Sequence, residues 1–105
     1  MLVRIANKED SSCIVDFQLA MAKETENTTL HRQTVEKGVE AVFDDTTKGR
    51  YFVAAKDGKI VGSLLTTYEW SDWRNGTVLW IQSVYVLPIF RRKGVYSKMY
   101  QHLKN

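Results

Sequence analysis

The sequence predicts one α+β domain: a strand, two helices, a three-stranded antiparallel meander and a last helix. Three observations carry this reading. Apolar residues recur at helical spacing after Asp10, after Leu30 and after Gly94. Between Tyr51 and Val86, apolar runs are divided by the turn dipeptides Asp57-Gly58 and Asn75-Gly76. Strands and helices are grouped rather than alternating as βαβ units. The chain has 105 residues, which fits one domain over residues 1–105 with a small core.

Each element has a local reason. Leu2 to Ala6 opens as a strand with Val3 and Ile5 on one face. Asp10, Ser11 or Ser12 is placed to cap the helix that follows. Cys13, Ile14, Phe17 and Met21 then form its apolar face, which assigns the lone cysteine to packing rather than to nucleophilic chemistry. Glu24 to Thr29 is polar and reads as a loop. A second helix from about Leu30 to Phe43 carries Val35, Val39, Val42 and Phe43 on one stripe. Gly38 inside it suggests close packing. Tyr51 to Ala55 and Ile60 to Tyr68 form a hairpin, and Gly62 marks a bulge or a close backbone approach. Trp70 to Gly76 connects to a long strand from Val78 to Val86. The last helix starts near Gly94 and keeps its pattern through Leu103 and Asn105.

Composition narrows the class. Hydrophobic residues make up 44% and charged residues 26%, as in an ordinary globular protein. No run approaches the roughly 20 apolar residues that span a bilayer. MLVRIANKED lacks the apolar core of a secretory signal. A single cysteine suits a reducing compartment, so a cytoplasmic location is expected. Residues 1–50 hold seven Lys/Arg against nine Asp/Glu, and residues 51–105 hold eight against three. The basic half favours an anionic ligand. A net charge of +3 is modest for a nucleic-acid binder, and single-strand binding ranks as a third reading. His31 and His102 have no Cys or His partners at ligand spacing, so no metal site is expected.

Residues 82–99, QSVYVLPIFRRKGVYSKM, are the most informative segment. A β-branched strand meets Pro88, which cannot donate to a sheet ladder and ends it. Arg91, Arg92 and Lys93 follow, then Gly94, then a helical pattern. A helix N-terminus leaves unpaired N–H groups and a partial positive charge. A turn laid over it adds further inward amides, so phosphate or pyrophosphate fits there. The alternative for this segment is a solvated basic turn.

These residues resemble the GNAT superfamily of N-acetyltransferases. The family's signature is Gln/Arg, two variable residues, Gly, one variable residue, then Gly or Ala. It falls on Arg91, Arg92, Lys93, Gly94, Val95 and Tyr96, with Ser83 to Pro88 as the strand leading in. The YFVAAKDGKIVG hairpin and the EWSDWRNG turn extend the likeness from Leu2 to the end. Tyr96 departs from the family's Gly or Ala. The likeness implies a mixed, mostly antiparallel GNAT-like sheet, C-terminally shortened and lacking the usual final strands and helix.

The resemblance implies acetyl-CoA as cosubstrate. Backbone groups of Val84 and Val86 would pair with its pantetheine arm, with Tyr85 between them at the cofactor site, and one of those N–H groups would polarise the thioester carbonyl. The pyrophosphate would rest on amides of Arg92, Lys93, Gly94, Val95, Tyr96 and Ser97, with Arg91 beside them. The side chains of Val84 and Val86 also read as core. The implied enzyme is an N-acetyltransferase acting on a primary amine, small-molecule or peptide, by direct attack. The alternative is a non-catalytic shortened domain that binds CoA or a partner chain. A base must take the ammonium proton. The strand Trp80 to Val86 has no carboxylate, which leaves Glu69 first and Asp72 second, near Trp70 and Trp73. Equally, Glu69 can pair with Arg74 and Asp72 can cap the turn. The open edge of Val78 to Val86 predicts a homodimer or a covering partner chain.

Overall fold

A computed structural model describes residues 1–104, so Asn105 lies outside the described residues. The elements are β1 (Leu2–Ile5), α1 (Ser11–Glu26), α2 (Arg32–Asp44), β2 (Arg50–Lys56), β3 (Lys59–Ser71), β4 (Gly76–Val86) and α3 (Val95–Lys104). Short 3₁₀ turns cover Lys8–Asp10 and Pro88–Phe90. The strands form one sheet in the order β1-β2-β3-β4, and all three pairings are antiparallel. The predicted order and class are those observed.

The helices split between the two faces. On one face α1 and α2 bury Ile14, Val15 and Val39 against Tyr51 and Val53, with Leu65 packed on them. On the other, α3 buries Val95 and Met99 against Ala54, Val61 and Leu64. Gly62 makes the second contact possible. A Cβ there would lie 3.1 Å from the Tyr85 carbonyl oxygen and 3.1 Å from Val95 Cγ1. The register also shifts between Ala54 and Ala55, which leaves Val61 as the extra residue of a bulge. Both readings of Gly62 therefore hold.

A second bulge shapes β4. Ser63 faces Tyr85 while Leu65 faces Gln82, so β4 carries one extra residue between them. Ser83 adopts a φ of 53°, the left-handed turn such a bulge needs. Side chains of a strand alternate faces. Trp80 and Gln82 therefore lie on the α1 side before the bulge, and Tyr85 lies there after it. Tyr85 packs against Phe17 of α1 with its ring tilted, at 5.0 Å between ring centroids. Val84 and Val86 turn to the α3 side and pack on its core.

Several local expectations are corrected. Residues 24–26 continue α1 instead of forming a loop, and Asn27 ends the helix in a left-handed conformation (φ 49°). Asp10 precedes α1 without capping it. Its carboxylate binds Arg4 at 2.8 and 3.0 Å and accepts from the Asn7 N–H at 2.8 Å. Among the described residues, nothing lies within 4 Å of a Cβ placed at Gly38, so close packing does not explain that glycine. The β3–β4 ribbon runs on through Ser71 and Gly76, and only residues 72–75 form its turn.

The buried Asp10 has an acid-stability signature. Arg4 hydrogen bonding holds its carboxyl below the usual range, although burial opposes this. A depressed carboxyl stabilises the fold above its unfolded value, about 3.9, and that stability is lost as pH falls through the folded value. Asp10→Asn should cost about 2 kcal/mol at pH 6 and flatten this part of the acid limb. Urea midpoints measured from pH 6 to pH 2 check both; an unchanged acid limb contradicts the assignment.

Candidate functional site

β4 is an outer strand, so one of its edges is unpaired within the sheet. Main-chain groups alternate in direction along an antiparallel strand. The Leu87 N–H donates to the Val61 carbonyl at 2.9 Å, so Tyr85 and Leu87 aim their groups at β3. Val84 and Val86 therefore aim theirs outward. The Val86 carbonyl confirms the direction by accepting Arg91 Nε at 2.8 Å.

Pro88 then turns the chain away from the sheet. Phe90 and Arg91 N–H groups bond back to Leu87 and Pro88 carbonyls. Beyond them, Arg92 (φ 64°) and Gly94 (φ 83°) are left-handed, and α3 begins at Val95. The Lys98 N–H closes the first helical bond, to the Gly94 carbonyl. Among the described residues, the six amides from Arg92 to Ser97 make no hydrogen bond of good geometry. Successive amides in such a turn, continued into a helix start, form a concave anion-binding surface.

A cavity of about 490 Å³ lies against this turn and the β4 edge. Its walls include Val84, Tyr85, Val86, Arg91, Arg92, Gly94, Val95, Tyr96 and Ser97. Nine of the ten residues expected at a cofactor site thus share one hollow. Lys93 does not line it; its Nζ lies 5.8 Å from the Phe90 ring centroid. Tyr96 is exposed and stacks with Tyr100 at 6.1 Å between ring centroids.

Sequence reasoning missed the opposite wall, made by Met21, Glu24 and Thr25 of α1. Glu24 Oε1 pairs with Arg91 Nη2 at 2.8 Å, and Oε2 accepts from the Tyr85 hydroxyl at 2.7 Å. The Arg91 guanidinium also lies 5.3 Å from the Tyr85 ring centroid. The Tyr85 hydroxyl and then Arg91 hold the Glu24 carboxyl below its ordinary value. Burial and then Glu24 push the Tyr85 hydroxyl up. The partners are separated by 61 and 67 positions, so no local spacing signals them.

The two candidate bases lie elsewhere. Glu69 faces Val78 across the β3–β4 ribbon, beyond the bulge from the cavity. Its Oε2 accepts Trp80 Nε1 at 2.7 Å rather than pairing with Arg74. Asp72 is in the ribbon's turn, where Ser71 Oγ accepts the Arg74 N–H at 3.3 Å. Neither lines the cavity. Trp73 is 96% exposed and gives its neighbours no shelter from water.

Comparison with known proteins identifies the family. The chain aligns with a structure of a possible acetyltransferase from Clostridium difficile 630 with a TM-score of 0.91 and 44% identity, over 99% of this chain and 68% of that one. An integron cassette protein from the mobile metagenome of Cole Harbour Salt Marsh gives 0.90 and 22%, over 97% and 66%. A predicted acetyltransferase from Clostridium acetobutylicum, solved with acetyl-CoA, gives 0.78 and 16%, over 97% and 70%. The last two share the fold. The chain spans about two thirds of the length of each. No curated protein matches it. A profile of the acetyltransferase (GNAT) family matches residues 17–105. With the 44% identical relative, that match establishes that the chain belongs to the acetyltransferase (GNAT) family.

Proposed function

We propose that this chain binds acetyl-CoA and passes its acetyl group to a primary amine by direct attack. The observation that carries this is the row of six unpartnered amides, Arg92 to Ser97, beside the outward-facing groups of Val84 and Val86. The diphosphate rests on the amides, and Arg92 adds charge. The pantetheine arm lies along the β4 edge like an added strand. A β4 N–H, from Val84 or Val86, polarises the thioester carbonyl. The amine nitrogen attacks that carbon, the C–S bond breaks, and CoA leaves as a thiolate that takes up a proton. The complex with acetyl-CoA known for a protein of this fold supports the ligand assignment.

Glu69, with Asp72 second, is the base we propose for the ammonium proton, acting through water. Titration of the protein with acetyl-CoA tests the binding half. Saturable heat and a thermal shift are expected; their absence at millimolar ligand removes the cofactor assignment. Glu69→Gln should lower turnover of mixed amines at neutral pH while leaving acetyl-CoA affinity unchanged.

One observation favours the second reading, a non-catalytic domain that holds CoA or a partner chain: both candidate bases stand off the cavity. Acetyl transfer by this chain alone excludes it. The unpaired edge of the outer stretch of β4, before the bulge and apart from Val84 and Val86, supports a homodimer or a partner chain there. The single cysteine, half-buried and free, supports a reducing, cytoplasmic setting.

A further inference from the structure

We propose that Arg91 acts as a latch on the β4 edge, held by Glu24, and that the pantetheine arm must displace it from the Val86 carbonyl to bind. The idea rests on the cofactor placement proposed above, and its first test does not.

The geometry is specific. Arg91 leaves the turn after β4 and passes over the open edge of that strand. Its Nε donates to the Val86 carbonyl at 2.8 Å, and its Nη2 pairs with Glu24 at 2.8 Å. Its Cζ lies over the Tyr85 ring, 5.3 Å from the centroid. Each contact fixes a different degree of freedom of the guanidinium, which is a rigid fork. Glu24 is itself fixed by the Tyr85 hydroxyl, and Tyr85 is buried against Phe17. The chain of contacts thus runs from the α1 core to a single outward carbonyl.

That carbonyl belongs to the stretch of edge that an extended ligand would use. Strand addition works through the outward N–H and C=O groups of alternate residues, here Val84 and Val86. The Val86 carbonyl is already occupied by a charged donor, and such bonds are stronger than neutral ones. An incoming amide N–H must therefore share or replace it. Arg91 also gives up part of its value to phosphate while its charge is balanced by Glu24. Glu24 is thus a positioning residue, acting through Arg91, and it tunes how far the empty site resists the arm.

Two ligands separate the effects. Acetyl-CoA carries the arm; 3′-phospho-ADP carries the same nucleotide, 3′-phosphate included, without it. Glu24→Gln loosens the latch, and Arg91→Met removes it together with its charge. The ratio of 3′-phospho-ADP to acetyl-CoA dissociation constants isolates the arm. It should rise about fivefold in both variants, even if Arg91→Met weakens both ligands. A ratio that stays level or falls in either variant overturns the latch. Absence of acetyl-CoA binding by the unaltered chain overturns the cofactor assignment instead. The first test needs no ligand. The Arg91 Nε–H resonance should exchange slowly in the unaltered protein and much faster in Glu24→Gln. Fast exchange in the unaltered protein overturns the latch whatever the ligands do.

Discussion

Gly94→Glu is expected to weaken acetyl-CoA binding by at least about 30-fold, for two separable reasons. Gly94 sits at φ 83°, where a side chain costs about 1–2 kcal/mol. Relaxing that strain rotates the flanking amides out of the concave row. The added carboxylate then faces a diphosphate, which costs about another 1–3 kcal/mol at a partly screened separation. Space is not the issue, because none of the described residues lies within 4 Å of a Cβ at this position. Gly94→Ala separates the two causes. It carries the strain without the charge and should lose about tenfold or less. Calorimetric titration of both variants decides the matter. Equal affinities for Glu and Gly at position 94 would mean that the diphosphate lies elsewhere.

Met99→Ala is expected to lower stability by about 3 kcal/mol. Met99 is fully buried and packs with Val61, Leu64 and Val95 under the sheet. Its Cε would lie only 3.4 Å from a Cβ at Gly62, so α3 is seated tightly and the removed atoms leave a void. For a domain of this size the change corresponds to a fall of about 15 °C in Tm. Binding should suffer as well, because Met99 lies one turn beyond Val95, whose N–H belongs to the amide row. Thermal melts with and without acetyl-CoA test this. A fall of less than about 4 °C would mean that the site collapses freely around the gap.

The fold was legible because its cues are local. Asp57-Gly58 announces its hairpin and takes the paired positive φ values, 53° and 78°, of a tight two-residue turn. Val35, Val39, Val42 and Phe43 declare their stripe within two helical turns. Pro88 and Gly94 bracket the amide turn by backbone chemistry that a sequence states outright. The unread parts are those fixed by distant partners or by geometry without a marker residue. Glu24 looked like loop polarity, yet it is held by Tyr85 and Arg91 from the far end of the chain. The β4 bulge falls on Ser83, with no glycine to flag it. Gly38 pointed to a contact that is absent, and nothing in the structure explains it. Asp10 resembled a cap, but Arg4 and Asn7 compete for the same oxygens.

The extra residue at Ser83 divides β4 into two stretches with independent parity. Removing that residue would turn Trp80 and Gln82 to the opposite face, whereas lengthening or shortening the ribbon toward Trp73 changes only the outer stretch. The inner one, with Val84 to Val86, would keep its phase. Evolution can thus remodel the outer end, where Trp70, Trp73 and Trp80 stand exposed, without resetting the inner rail.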